Sequence, residues 1–330
     1  MTPVLLLVVV IALVFDYTNG FHDAANAVAT SISTRAVPPN LALGAAAIFN
    51  IIGALISTNV AATLAKGIVN PGAVTAPVIL GGLLGAIFWN LLTWWWALPN
   101  SSSHCLIGGV ASAVLASSGS KDVQWGAIVQ KVLIPTVAAP LIGFSVGILI
   151  MVALLWIFRN AHPGVLNRRF RLAQTISASV VAFSHGSNDA QKTMGVITLA
   201  LYTGHVIPEL TVPLWVKLAS AVTIGLGTYA GGKRIIRTLG MRLVKLTPVQ
   251  GFAAETSASA VLLSTAHFGF PVSTTHVITA SIMGVGATQR LSAVKWGLSL
   301  NIFIAWVVTL PMAGLVGAIC ARLMVSLLGG

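Results

Sequence analysis

Long apolar runs recur along this chain, separated by short polar phrases. Residues 41–59, 73–97, 127–157 and 296–326 are almost free of charge. Each approaches or exceeds the roughly 20 residues that carry a helix across a bilayer. Read in full, the pattern predicts ten helical crossings, five per half: 3–32, 41–59, 73–97, 98–117 and 127–157, then 172–201, 213–231, 249–269, 271–288 and 295–326. The expected fold class is an all-α polytopic membrane protein. Composition agrees: mean hydropathy is +0.94, and only 7% of residues are charged, which excludes an ordinary soluble domain. The apolar stretch from Met1 to Phe15 lacks a basic leader and reads as a retained first span.

The polar interruptions are repeated. Thr18-Asn19-Gly20-Phe21-His22-Asp23-Ala24 aligns without gaps to Ser184-His185-Gly186-Ser187-Asn188-Asp189-Ala190. Pro99-Asn100-Ser101-Ser102-Ser103-His104 aligns to Pro271-Val272-Ser273-Thr274-Thr275-His276, and Trp125-Gly126, Pro140 and Gly143 to Trp296-Gly297, Pro311 and Gly314. The chain therefore divides into a first repeat, 1–158, a basic linker, 159–171, and a second repeat, 172–330. Glycine weakens a helix, so both long helices are expected to break at the doubled phrase, where irregular backbone would face protein or a water-filled cavity. The Ser/Thr-rich segments read either as full crossings or as re-entrant hairpins.

Charge fixes the orientation. An odd number of crossings per half makes the repeats inverted. With 158–171 inside, the cations at Arg35, in 159–171, in 233–245, and at Arg290 and Lys295 all fall inside, while Lys66, Lys121, Lys217 and Arg322 fall outside. That bias follows the positive-inside rule and sets both termini outside. The basic clusters have no interleaved aromatics, so nucleic acid is not an expected partner. Cys105 and Cys320 have no metal spacing.

Ionisable groups at membrane depth are costly and mark substrate or ion paths, so a doubled Asp points to a transporter. Asp23 and Asp189 are the first candidates for cation coupling; the bland alternative, an Asp capping a broken helix end, weakens once it occurs twice. Asn26 and Lys192 hold the equivalent place three residues on, one offering a neutral oxygen suited to sodium and the other an ammonium of its own. Glu255 is the only carboxylate of 249–269 and serves coupling or a structural pair. Asp16 has no acidic counterpart, since Ala182 stands there, and reads as structural. Ser101, Ser102 and Ser103, with Ser273, Thr274 and Thr275, sit at helix starts, where N–H groups and hydroxyls make an anion site for a tetrahedral oxyanion; ordinary N-capping is the alternative. No His pair has close zinc spacing, and no cofactor is expected.

These motifs, with Gly251-Phe252-Ala253-Ala254-Glu255, make the chain resemble the inorganic phosphate transporter (PiT) family over its whole length. The resemblance implies an inverted-repeat, cation-coupled phosphate symporter, with sodium or proton coupling around Asp23, Asn26, Asn188 and Asp189 and phosphate near the Ser/Thr hairpins. Eukaryotic members are similar but carry Asn at the place of Lys192 and Glu at the place of Asn50. The bacterial-type pattern here loses an acid and gains a cation, which favours proton coupling or fewer sodium ions. The expectation is a plasma-membrane importer of inorganic phosphate, free or as a metal complex, working by alternating access in the lipid bilayer, with a homo-oligomer allowed. A sulfate permease on the same scaffold is the nearest rival. An intramembrane hydrolase would need one asymmetric base–nucleophile site, and a passive channel a pore-lining charge ring.

Overall fold

The computed structural model describes residues 1–329. Among these the regular structure is helical, apart from one isolated bridge between Val69 and Val123. The first half contains α1 (Pro3–Ser33), α2 (Pro39–Ala54), α3 (Asn59–Gly67), α4 (Ala76–Trp95), α5 (Ser102–Ser118), α6 (Trp125–Ile128) and α7 (Ile134–Ile157). The second contains α8 (Pro163–Thr203), α9 (Leu214–Ala230), α10 (Lys233–Arg237), α11 (Pro248–His267), α12 (Thr274–Ala287) and α13 (Trp296–Leu328). A π turn at Val129–Leu133 joins α6 to α7. Pro135 follows it within the first turn of α7; lacking an N–H, it cannot make one rung of a regular ladder there.

Among the described residues, four helices are long and apolar enough to cross a membrane: α1, α4, the joined α6–α7 and α13. The pair α2 and α3, bent by 65°, adds a fifth. With 17 and 14 residues, α5 and α12 rise only about 26 and 21 Å, short of a hydrocarbon core of about 30 Å. They pack back on the helices that precede them, forming two helical hairpins, α4–α5 and α11–α12. The hairpin tips touch. Ser103 Oγ donates to the carbonyl of Val272, and Trp306 Nε1 on α13 secures the first tip by donating to the carbonyl of Pro99.

Two expectations need correction. The long helices do not break at the doubled phrase: α1 runs unbroken through Asn19-Gly20, and α8 through Gly186-Ser187. One interior glycine costs a helix only about 1 kcal/mol, and here it serves packing. A Cβ on Gly20 would collide with the backbone of Ile224 on α9, and one on Gly186 with that of Asn50 on α2. Small residues let helix backbones approach this closely in lipid. The second correction concerns the basic stretch 159–171, most of which is not a linker. His162 caps α8, which begins at Pro163, so Arg168, Arg169 and Arg171 ride on its first turns.

The packing repeats with the halves exchanged. α1 packs on α9 as α8 does on α2, α5 on α13 as α12 does on α7, and α4 on α1 as α11 does on α8. Gly227 abuts Tyr17, and Gly53 abuts the aligned Phe183. α1 and α8 cross each other antiparallel, with Thr34 near Gln174 and Asp16 near Thr193. Large apolar side chains such as Leu149, Trp156, Leu226 and Val307 stay exposed on the perimeter, as a lipid-facing surface requires.

Candidate functional site

The antiparallel α1 and α8 bring the two copies of the phrase face to face. Asp23 and Asp189 are both buried, and Ser102 Oγ reaches both, 3.1 Å from Asp23 Oδ2 and 3.4 Å from Asp189 Oδ2. Thr275 Oγ1 donates to Asp23 Oδ1 at 3.4 Å and Thr274 Oγ1 to Asp189 Oδ2 at 3.5 Å. Both hairpin tips therefore converge on one acidic pair. Asn26 Nδ2 ties in from α1, 2.9 Å from Thr275 Oγ1 and 3.3 Å from Thr274 Oγ1, which leaves its Oδ1 uncommitted.

Two like charges this close need compensation. Lys192 Nζ lies 2.6 Å from Asp189 Oδ1, one helical turn away, and the ammonium is fully buried. Asp23 Oδ1 has His22 Nδ1 at 2.5 Å. The two acids thus have different partners, a lysine ammonium at Asp189 and an imidazole at Asp23.

The six hydroxyl residues divide into three roles. Ser101 and Ser273 are N-caps, accepting from the N–H of His104 at 3.1 Å and of His276 at 3.2 Å. Ser103 ties the tips together. Ser102, Thr274 and Thr275 aim at the acids. The capping alternative accordingly holds for the first residue of each cluster. The N–H groups of Ser102, Ser103, Thr274 and Thr275 lie in the first turns of α5 and α12, where the helix supplies no internal partner. Two positive helix ends thus face the same spot.

Glu255 stands apart from this pair. Its Oε1 accepts from Thr30 Oγ1 at 2.5 Å and Gln174 Nε2 at 3.0 Å, and its Oε2 accepts from Ser177. Gln174 in turn accepts from Thr34 Oγ1 at 2.7 Å. Asn188 is buried, but neither of its amide atoms has a hydrogen-bond partner, so the structure gives it no bond to the acidic pair.

Further partners come from residues to which the sequence assigned no bond. Asn19 Nδ2 donates to Asp189 Oδ2 at 3.3 Å. His185 stands with Nε2 3.5 Å from the same oxygen, outside hydrogen-bond geometry. Its Nδ1 meets Asn50 Oδ1 at 2.9 Å, and Asn50 is itself held by donating to Thr228 at 2.9 Å. Asp23, His185 and Asp189 bring ligand atoms within 4.8 Å of one another, a donor set that could hold a metal ion. Sequence spacing hid this set because it spans two helices. The only signal was that Asn19 and His185 align with each other in the doubled phrase. His104 Nε2 meets Thr136 Oγ1 at 2.8 Å, while His276 stacks on Trp306 at 3.9 Å. Both rings brace the hairpins from behind.

Fold and site together define a polytopic helical membrane protein with a duplicated polar site buried between two hairpin tips. Comparison with known proteins places it more narrowly. The chain belongs to the phosphate transporter family, whose model matches residues 19–317. Among curated relatives, a protein of Mycobacterium bovis named "Probable low-affinity inorganic phosphate transporter" is 49% identical over 99% of this chain and 78% of its own length. Relatives with the same name from Rhizobium meliloti and Bacillus subtilis are 46% and 42% identical, over 96% and 95% of both chains. A solved structure titled "The sodium-dependent phosphate transporter" superposes with a TM-score of 0.91 over 99% of this chain and 100% of that one, at 22% identity. At that identity the likeness speaks for the fold. The family resemblance read from the doubled phrase is thereby established, and with it a transporter rather than an enzyme.

Proposed function

We propose that this protein is a secondary active symporter that imports inorganic phosphate across the plasma membrane, driven by a proton or sodium gradient. The observation that carries the reading is the meeting of two capped helix starts, from opposed hairpins, with two equivalent acids at one buried spot. Helix N-termini and hydroxyls suit a tetrahedral oxyanion, and the acids suit the co-transported cation. In this structure Ser102, Thr274 and Thr275 point their hydroxyls at the acids; when phosphate arrives, the same groups turn to it. The named activity of the relatives supports phosphate as the substrate.

Alternating access follows from inverting the halves about this site. The antiparallel crossing of the two equivalent helices, α1 and α8, supports that inversion, and the positive-inside bias supports termini outside. Lys192 on Asp189 takes, in the second half, the place a mobile cation would take near Asn26 and Asp23 in the first. Sulfate remains the rival because it is similar in size and shape. It lacks the protonated oxygen that phosphate can donate to a carboxylate such as Asp23.

Purified protein in sealed vesicles should take up labelled phosphate, and excess sulfate should compete at least about tenfold less well than unlabelled phosphate, the discrimination available to a site built to accept that hydrogen bond. Equal competition by sulfate would overturn the assignment to phosphate.

A further inference from the structure

Asp16 is the acid that the site does not use. It lies seven residues before Asp23 on α1, two turns and about 10 Å toward the N-terminal end on the same face. Its side chain is fully buried. Oδ1 accepts from Thr193 Oγ1 at 2.9 Å, and Oδ2 has no hydrogen-bond partner. Among the described residues no cation lies within 4.0 Å of it; the charged groups facing it are Asp189 and Lys192 across on α8, and those two are engaged with each other. A buried carboxylate anion with a single hydrogen bond carries an uncompensated desolvation penalty of several kcal/mol.

Packing does not require it. The repeat aligns Asp16 with Ala182 and Thr193 with Ala27. Both alanines are buried in one apolar cluster. The same helix crossing is therefore filled on the other side by two methyl groups. An acid and a hydroxyl at its image are costly where alanines suffice, which points to function.

We infer that Asp16 carries the co-transported proton. The inference rests on the symport reading and deepens it by naming the coupling ion and its site. In the outward-facing state Oδ2 takes a proton from external water, forming the neutral acid. Loss of that negative charge leaves the neighbouring core one charge more positive, which favours the incoming phosphate anion. When the site faces inward, the O–H bond breaks and the proton passes to cytoplasmic water. The restored carboxylate opposes rebinding of phosphate, so the two leave together. Glu255 differs in that both its oxygens are held by donors, which leaves it no free oxygen atom. Thr193 holds Oδ1 and leaves Oδ2 as the atom that takes the proton.

The test uses vesicles containing the full-length protein, with three readouts: phosphate accumulation under an imposed inward proton gradient, phosphate–phosphate exchange at equal pH, and proton entry followed with an internal pH dye. Asp16→Asn is a permanently neutral copy of the loaded acid. It should lose at least about tenfold in accumulation and lose the proton entry that accompanies phosphate, a coupling loss of ordinary allosteric size, while exchange persists. Asp16→Glu should restore proton entry. The inference is overturned if Asp16→Asn still accumulates phosphate with proton entry, or if it loses exchange together with accumulation. Wild-type protein that accumulates phosphate only with sodium would overturn it as well. Wild-type protein without phosphate exchange would sink the phosphate reading itself, and this inference with it.

Discussion

The two ends of the α1–α8 crossing are built from aligned residues and differ completely in polarity. At one end, Glu255 gathers Thr30, Gln174 and Ser177, with Thr34 behind them. With Pro77-Val78 aligned to Pro248-Val249 and the doubled phrase aligned as before, these positions match Leu84, Val196, Val8, Ile11 and Ala200. All five belong to, or pack against, one apolar cluster. Between the ends sit Asp23 and Asp189. Thus the scaffold repeats while its chemistry does not. The polar end adjoins, along the chain, the basic residues Arg35, Arg168 and Arg171, whereas at the apolar end Thr193 of α8 donates to Asp16 of α1. An equal pair of halves could bind a substrate symmetrically; unequal ends give a transporter a direction in which to load and release its ions.

The largest expected effect comes from the centre that both ends share. Asp189→Asn removes the partner of the buried Lys192, and breaking such a pair costs about 3–5 kcal/mol. Phosphate uptake should fall to background while the protein still inserts and elutes as a folded species. Wild-type uptake by this variant would refute the role of Asp189.

Next comes the polar end. Glu255→Leu copies the apolar image onto it and leaves the donors of Thr30 and Gln174 buried without an acceptor, while Ser177 keeps only the carbonyl of Gln174. Each lost partner costs about 1–3 kcal/mol, so the melting temperature should fall by several degrees and uptake by more than about tenfold. Should Glu255→Leu transport and melt like wild type, the polar end would be ornamental and the comparison would fail.

Packing should respond symmetrically where chemistry does not. Gly20→Ala and Gly186→Ala each force a Cβ into a facing backbone, at Ile224 and Asn50. Overpacking of this kind costs about 1–3 kcal/mol, and the two thermal shifts should agree. A large difference between them would show that the halves are not packing equivalents.

The smallest effect belongs to the chain that positions His185. Thr228→Val removes the hydroxyl that Asn50 donates to, and phosphate uptake should fall only about twofold to fivefold, the worth of one hydrogen bond. No change at all would remove Asn50 and Thr228 from the account.

Much of this was legible in the chain before the fold was known. The apolar runs locate most of the helices to within a few residues, because lipid leaves a spanning segment little choice but helix; the exceptions are α3, which had no run of its own, and the start of α8, which lies in the basic stretch. The doubled phrase identifies Asp23 and Asp189, and the Ser/Thr clusters mark the hairpin tips. Gly20 and Gly186 misled, since a glycine that breaks a helix and one that lets two helices touch look alike in one dimension. The surroundings of Glu255 were hidden for a different reason. Thr30, Gln174 and Ser177 come from two other helices, and nothing in their spacing says that they meet. Asp16 was visible as an unmatched acid, but only the alanine pair at its image shows that the fold could do without it.

The central claim is that phosphate and a cation share the site where the hairpin tips meet Asp23 and Asp189. It is tested most directly by phosphate accumulation in vesicles carrying wild-type protein, with an inward proton gradient, an inward sodium gradient, or neither imposed. The account predicts that internal phosphate rises above the external concentration under at least one gradient, collapses when that gradient is dissipated, and never rises in the Asp189→Asn protein. Phosphate that only equilibrates under every condition would contradict it.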